Sequence, residues 1–191
     1  MRKYLLIAWG FFIGLFIFPS QTIMAQGGNF SNARVFNAGL SLNYSYDYIG
    51  SRSLRVPPMV AFFEVGIHQY ITAGPYLAYS KWIYSEPERT RSFLGLGARG
   101  SFHLTPFLND LIDGSINEEE FDFYVSMISG FEFRQYGSYT EHPVSDFFDN
   151  IRLFIGPVAG VRYYFSDDLA VFSEVGRGAL GAVGVGLSVN L

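Results

Sequence analysis

The last nine residues constrain the fold most. Val183, Val185, Leu187, Val189 and Leu191 alternate without interruption with Gly184, Gly186, Ser188 and Asn190. Successive side chains of an extended strand point to opposite faces, so this segment is a strand with one oily face and one small, polar face. Any fold that contains it must give those two faces different surroundings.

The same split recurs seven times earlier in the chain. The first segment runs from Phe36 to Tyr46, with Phe36, Leu40 and Leu42 opposite Asn37, Gly39 and Ser41. It returns over Met59 to Ile67, Ile71 to Ile83, Ser92 to Leu104, Phe121 to Gln135, Ile151 to Phe165 and Leu169 to Arg177. Eight segments of roughly ten residues match the length that a tilted membrane-crossing strand requires. The expected architecture is therefore all-β, an eight-stranded antiparallel up-and-down transmembrane β-barrel.

Alternation alone does not say which face is inside, because a soluble barrel also alternates and turns its apolar face inward. The polar face decides the question. It carries Gly, Ser, Ala and Asn with isolated Arg and Glu, where a water-facing surface needs many Lys, Glu and Asp. Charged residues make up 16% of the 191-residue chain, against about 25% in soluble domains. The oily face then meets lipid, and the small residues line a narrow lumen. Aromatics near strand ends, among them Tyr44, Tyr79, Phe102, Phe121, Phe123 and Tyr163, suit girdles at the two membrane interfaces.

Connection lengths orient the barrel. Those at Asp47 to Pro58, Tyr84 to Arg91, Tyr136 to Asn150 and Gly178 to Ala182 are expected outside the cell. The tight ones around His68 to Tyr70 and Ser166 to Asp168 are expected on the periplasmic side with both termini. Between them, Thr105 to Glu120 predicts a short periplasmic helix, with Thr105 as its cap, Pro106 in its first turn, one face of Leu108, Leu111 and Ile112, and Gly114 at its end.

Residues 1–25 read as a cleaved signal peptide: Arg2 and Lys3, an apolar run from Leu5 to Phe18, and Ile23-Met24-Ala25 before the cut. Residues 26–191 form the barrel domain. No other apolar run is long enough for a spanning helix. The chain has no cysteine, which excludes disulfides, thiolate metal sites and a catalytic thiol. A formal net charge of -4, without a Lys/Arg cluster along the sequence, argues against nucleic acid as a partner.

The segment GPVAGVRYYFSDDLAVFSEVGRGALGAVGVGLSVNL, Gly156 to Leu191, resembles the end of the small outer-membrane β-barrel proteins, the OmpA-like and PorT-like group. The resemblance implies insertion by the outer-membrane assembly machinery, which reads the last strand in that group. Such strands commonly end in an aromatic residue, whereas this one ends in Leu191.

The residues with most chemistry are the charges on the lumen face: Glu64, Glu132 and Glu174 with Arg99, Arg134, Arg152 and Arg162. Near-balanced signs in a low dielectric predict mutual pairing. They would plug the lumen or, alternatively, line a narrow channel for small solutes. Arg162 is expected diagonal to Glu174 across one hairpin. A lipid-modifying enzyme would need a nucleophile, for which His142, Ser145 and Asp146 in one loop are the candidates. All three are ordinary loop formers beside Pro143, with no nucleophile motif around them, so no catalytic site is assigned. His68, His103 and His142 lack ligand spacing. Asp113, Ser115 and Asn117 fail as a calcium loop, because Glu118 replaces the required glycine and Tyr124 the bidentate glutamate. No metal or other cofactor is expected. The sequence points to a structural or interaction protein of the bacterial outer membrane, in contact with lipid and lipopolysaccharide and with long loops open to a partner.

Overall fold

The computed structural model describes residues 30–42, 52–85, 88–112, 116–138, 151–178 and 181–191. Eight strands follow one another: β1 (Arg34–Leu42), β2 (Arg52–His68), β3 (Ile71–Ser85), β4 (Glu88–His103), β5 (Phe121–Ser138), β6 (Ile151–Tyr164), β7 (Leu169–Gly176) and β8 (Val183–Asn190). Helix α1 (Leu104–Ile112) stands between β4 and β5. Each strand pairs antiparallel with the next, and β8 returns to β1 from Val35↔Asn190 to Leu42↔Val183. The sheet thus closes into the eight-stranded up-and-down barrel that the alternation predicts.

The barrel is polar inside and oily outside. Leu153 is 72% exposed and Ile155 63%, whereas Glu64, His103 and Arg162 are 0%. Met59, Leu77, Leu96, Met127, Phe131 and Leu187 continue the exposed apolar surface around the wall. Soluble monomers rarely expose a contiguous apolar patch of more than a few hundred Å², and here it encircles the molecule. Phe121 packs against Phe123 and Tyr163, with ring centroids 6.2 and 5.1 Å apart, in an aromatic group at the end that holds Phe30 and Leu191.

At the opposite end two expected loops are largely strand. β2 begins at Arg52 and pairs with β3 through Arg52↔Tyr84 and Leu54↔Trp82, with register shifts on either side of Val56. The second shift spans Pro57 and Pro58, which have no N–H to give to a ladder. Likewise β3 and β4 stay paired as far as Ser85↔Glu88, so most of the expected connection Tyr84 to Arg91 is strand. Backbone pairing needs no apolar side chains, so the ladder runs on past the point where the hydrophobic alternation fades. Tyr44, Tyr46 and the loop residues 139–150 lie outside the described residues.

The helix forms where expected, but its cap differs. The Thr105 hydroxyl accepts the Phe123 N–H of β5 at 2.8 Å, which ties the helix start to the wall instead of capping it. Phe107 sits edge-on to Tyr70 and Phe102, at 5.7 and 5.3 Å, and the Tyr70 hydroxyl donates to the Asp110 carboxylate. Phe102 is outward-facing, between the buried Ser101 and His103. The helix therefore docks on the rim's outer side. The mouth is filled by Phe30, whose ring stacks on His103 at 3.6 Å. Its N–H donates to the Gln69 carbonyl, and the Gly66 N–H donates to the Ala33 carbonyl.

Two measurements probe this packing. A side chain at Gly160 would start 2.5 Å from the Tyr124 ring, so Gly160→Val should destabilise the barrel by about 1 to 3 kcal/mol through overpacking, read by urea unfolding from phosphocholine vesicles. Donation to Asp110, the larger cause, and burial hold the Tyr70 phenol above its ordinary value. Neutral Tyr70 is thus favoured in the folded state, and that contribution is complete below about pH 10 and is lost as pH rises through the raised value. A nitroxide on Leu111→Cys should gain mobility in that range, and Tyr70→Phe should remove the step.

Candidate functional site: a buried polar network and an apolar layer

Strand parity aims one charged or polar side chain after another into the same layer of the lumen. Glu64 on β2 is its centre. Its carboxylate receives Arg162 of β6, Arg99 of β4 at 3.4 Å, the Ser101 hydroxyl and the Thr72 hydroxyl of β3 at 3.1 Å. Asn37 of β1 donates to it at 3.3 Å and accepts from Ser188 of β8 at 2.5 Å. Arg99 also reaches Glu174 of β7 at 2.7 Å, and Arg162 reaches Asp122 of β5 at 3.1 Å. All eight strands contribute to one connected set.

His103 extends the network towards the sealed mouth. One ring nitrogen lies 2.9 Å from both Asp122 oxygens, and the other lies 3.0 Å from the Thr72 hydroxyl. Tyr124 donates to Glu174 at 2.8 Å, and its ring lies 4.6 Å from the Arg162 guanidinium. The Phe62 ring lies 4.0 Å from that of Arg99. Three carboxylates, two guanidiniums and an imidazole thus share one water-poor layer, where Coulomb attraction is several-fold stronger than in bulk water. Ion pairs at such depth need partners for their remaining donors and acceptors; the hydroxyls of Thr72, Ser101 and Ser126 supply several, while Arg99 Nη1 and Arg162 Nε are buried without a hydrogen bond.

The seven charges singled out in the sequence fall into three places. Glu64, Arg99, Arg162 and Glu174 belong to the central network. Glu132 and Arg134 form a separate pair, with Nε at 2.6 Å and Nη2 at 3.1 Å, at the end opposite Phe30 and Leu191. Arg152 faces Glu132 in the β5–β6 ladder and is exposed. Arg162 and Glu174 do lie diagonal to each other across the hairpin, Arg162 opposite Phe172 and Glu174 opposite Gly160, but the closest ion partners differ: Arg99 takes the Glu174 carboxylate while Arg162 turns to Glu64 and Asp122. Asp122 and His103, absent from those seven, share the inward parity of Glu64 and are buried in the same network.

The lumen is also less uniformly small and polar than the sequence suggests. Above the network, Val60, Phe62, Tyr76, Ala78, Ile128, Val158 and Phe172 form a buried apolar layer, with Phe93 and Phe154 against it. The Phe172 ring fits because Gly39 and Gly186 flank it without side chains. A void of about 20 Å³ remains beside Val60, Tyr76, Ile128, Val158 and Glu174, room for about one water. His142, Ser145, Asp146, Asp113 and Ser115 lie outside the described residues. Asn117 and Glu118 belong to a turn in which Glu118 accepts from Asn109 at 2.5 Å. His68 lies apart, tilted against Tyr70. Among the described residues no three His, Asp or Glu side chains converge on a point where a metal could sit.

No protein-family model matches the chain, and no curated protein matches it. Solved structures with a similar course include the N-terminal β-barrel domain of Pseudomonas aeruginosa OprF, at 11% identity and TM-score 0.46 over 85% of this chain and 99% of that one. The outer membrane protein OprG of the same organism is similar at 8% identity and TM-score 0.47, over 86% and 98%. The Yersinia pestis outer membrane protein Ail in a phospholipid bilayer nanodisc is similar at 9% identity and TM-score 0.48, over 84% and 99%.

Removing the hub should show the network's weight. Glu64→Ala leaves Arg162 and Arg99 each short of a partner in the interior and should destabilise the barrel by about 3 to 5 kcal/mol. Urea unfolding of the vesicle-inserted protein measures this, with Asp168→Ala on the exposed rim as a neutral control.

Proposed function

We propose that this chain is an integral outer-membrane barrel with a closed lumen, acting as a structural and interaction protein rather than as a conduit or an enzyme. One observation carries the reading: the wall's polarity is inverted, with charged groups buried in the lumen and leucines, isoleucines and phenylalanines exposed around the outside. In water such a surface would aggregate. In hydrocarbon it is the stable arrangement, since a closed sheet has no edge strand with a row of unpaired backbone groups.

Residues 1–25 act as the secretory signal in this reading, and the assembly machinery places the mature barrel among lipid and lipopolysaccharide with both termini in the periplasm. The tight connections at 69–70 and 165–168 lie at the end that holds Phe30 and Leu191, and the longest non-helical ones, 43–51 and 139–150, belong to the other, which supports that orientation. The stacked layers of Phe30, the ion-pair network and the apolar cluster favour a plug over a pore, because an eight-stranded lumen is only just wide enough for side chains. What remains available for recognition is the opposite rim and the long loops above it.

Two experiments test this. Leu187→Arg puts a charge on the outward face and should cost about 2 to 4 kcal/mol of membrane stability; folding and insertion equal to wild type would overturn the inverted orientation. In planar bilayers the wild-type protein should show no stable discrete openings, and regular conductance steps would replace the scaffold by a channel.

A further inference from the structure

The basic residues that look scattered in the sequence gather at one mouth. Arg91 on β4, Arg134 on β5 and Arg152 on β6 lie on the inward faces of successive strands at the end away from Phe30 and Leu191, and Lys81 on β3 stands at the same rim on the outward face. The ladders bring Arg52 and Arg89 to the same edge through their shared partner Tyr84. Among the residues there whose side chains are described, Glu132 is the one carboxylate facing these cations. The other rim is acidic, from Asp110 through Glu118, Glu119 and Glu120 to Asp167 and Asp168.

Two of these cations, Arg91 and Arg134, flank an aromatic floor. The guanidiniums of Arg91 and Arg134 lie 5.9 and 5.4 Å from the centre of the same Phe93 ring, and Trp82 meets that ring edge-on at 5.1 Å. Phe93 itself rests on the buried apolar layer, so Arg91 and Arg134, which share its strand face, sit towards the lumen axis rather than towards lipid. Beneath them the barrel is filled, so a ligand that enters the mouth stops there.

We propose that this mouth binds a polyanionic glycan, a sugar chain bearing sulfate, phosphate or carboxylate groups, presented from outside the cell. The inference rests on the outer-membrane reading above for which mouth faces outward. Guanidinium forks match the geometry of such anions, several cations of one sign around a concave site raise local anion concentration, and the Trp82 and Phe93 rings offer apolar faces to sugar C–H groups. Because Arg91, Arg134 and Arg152 stand on the inward faces of their strands, over the lumen, phosphates of lipids in the barrel's own leaflet are not the ligand.

The test uses the full mature chain refolded into phosphocholine vesicles, with insertion checked first by protease resistance. Failed insertion overturns the membrane reading. Insertion without binding overturns only the present one. The probe is a sulfated dextran oligosaccharide, compared with neutral dextran of the same length and with single-stranded DNA of the same charge. Saturable, salt-sensitive binding of the sulfated sugar, at least tenfold tighter than either comparator, is expected. Arg152→Ser and Arg91→Ser should each weaken it about tenfold, and Trp82→Ala should weaken it while leaving insertion intact. DNA binding as tight as sugar binding, affinity unchanged in all three variants, or binding that appears only when the vesicles carry lipopolysaccharide would each overturn the proposal.

Discussion

Everything in this molecule depends on the pairing of its first strand with its last. Eight ladder partners, from Val35↔Asn190 to Leu42↔Val183, leave the sheet without an edge. In hydrocarbon an unpaired N–H or C=O costs several kcal/mol, so an open eight-stranded sheet with this outer surface would have no stable place in a membrane. Closure also decides what the inward face must be. A cylinder of eight strands leaves an interior just wide enough for side chains, and those side chains have to fill it.

The filling is layered. Phe30 and His103 stack at one mouth, the Glu64 network lies next, the Phe62 and Phe172 layer follows, and Phe93 with its surrounding arginines ends the column. The contact of Arg99 with the Phe62 ring joins the charged layer to the apolar one, so no empty plane separates them. The inward glycines serve this filling: Gly39, Gly160 and Gly186 are gaps that the rings of Phe172 and Tyr124 occupy. Glycine and bulky aromatic alternate around the lumen because neighbouring strands must share one cross-section.

Much of this was legible in the residues. The period of two gave the strand count, and the parity of Glu64, Arg99, Arg162 and Glu174 put them inside. Partner choice was not legible, because it depends on positions across the barrel: Arg162 meets Glu64 over 98 residues of sequence, and no hairpin rule reaches that far. Strand ends were misplaced at Arg52 and Ser85 because backbone pairing there outlasts the hydrophobic pattern. The cationic rim was invisible for a similar reason. Lys81, Arg91, Arg134 and Arg152 are isolated in sequence, and only the ladders of four neighbouring strands assemble them.

The eight-strand membership of the central network has a consequence for how the barrel finds its shape. Sliding any strand by one residue exchanges its two faces. For β2, β4 or β6 that slip would carry Glu64, Arg99 or Arg162 out to lipid and strand its partners in the lumen. A slip of β1 or β8 would remove Asn37 or Ser188 from the same set. The polar layer therefore works as a proofreader of register, and it also rejects slips of two residues, which the oily exterior would accept because each face is kept but which carry Glu64, Arg99 or Arg162 away from their partners.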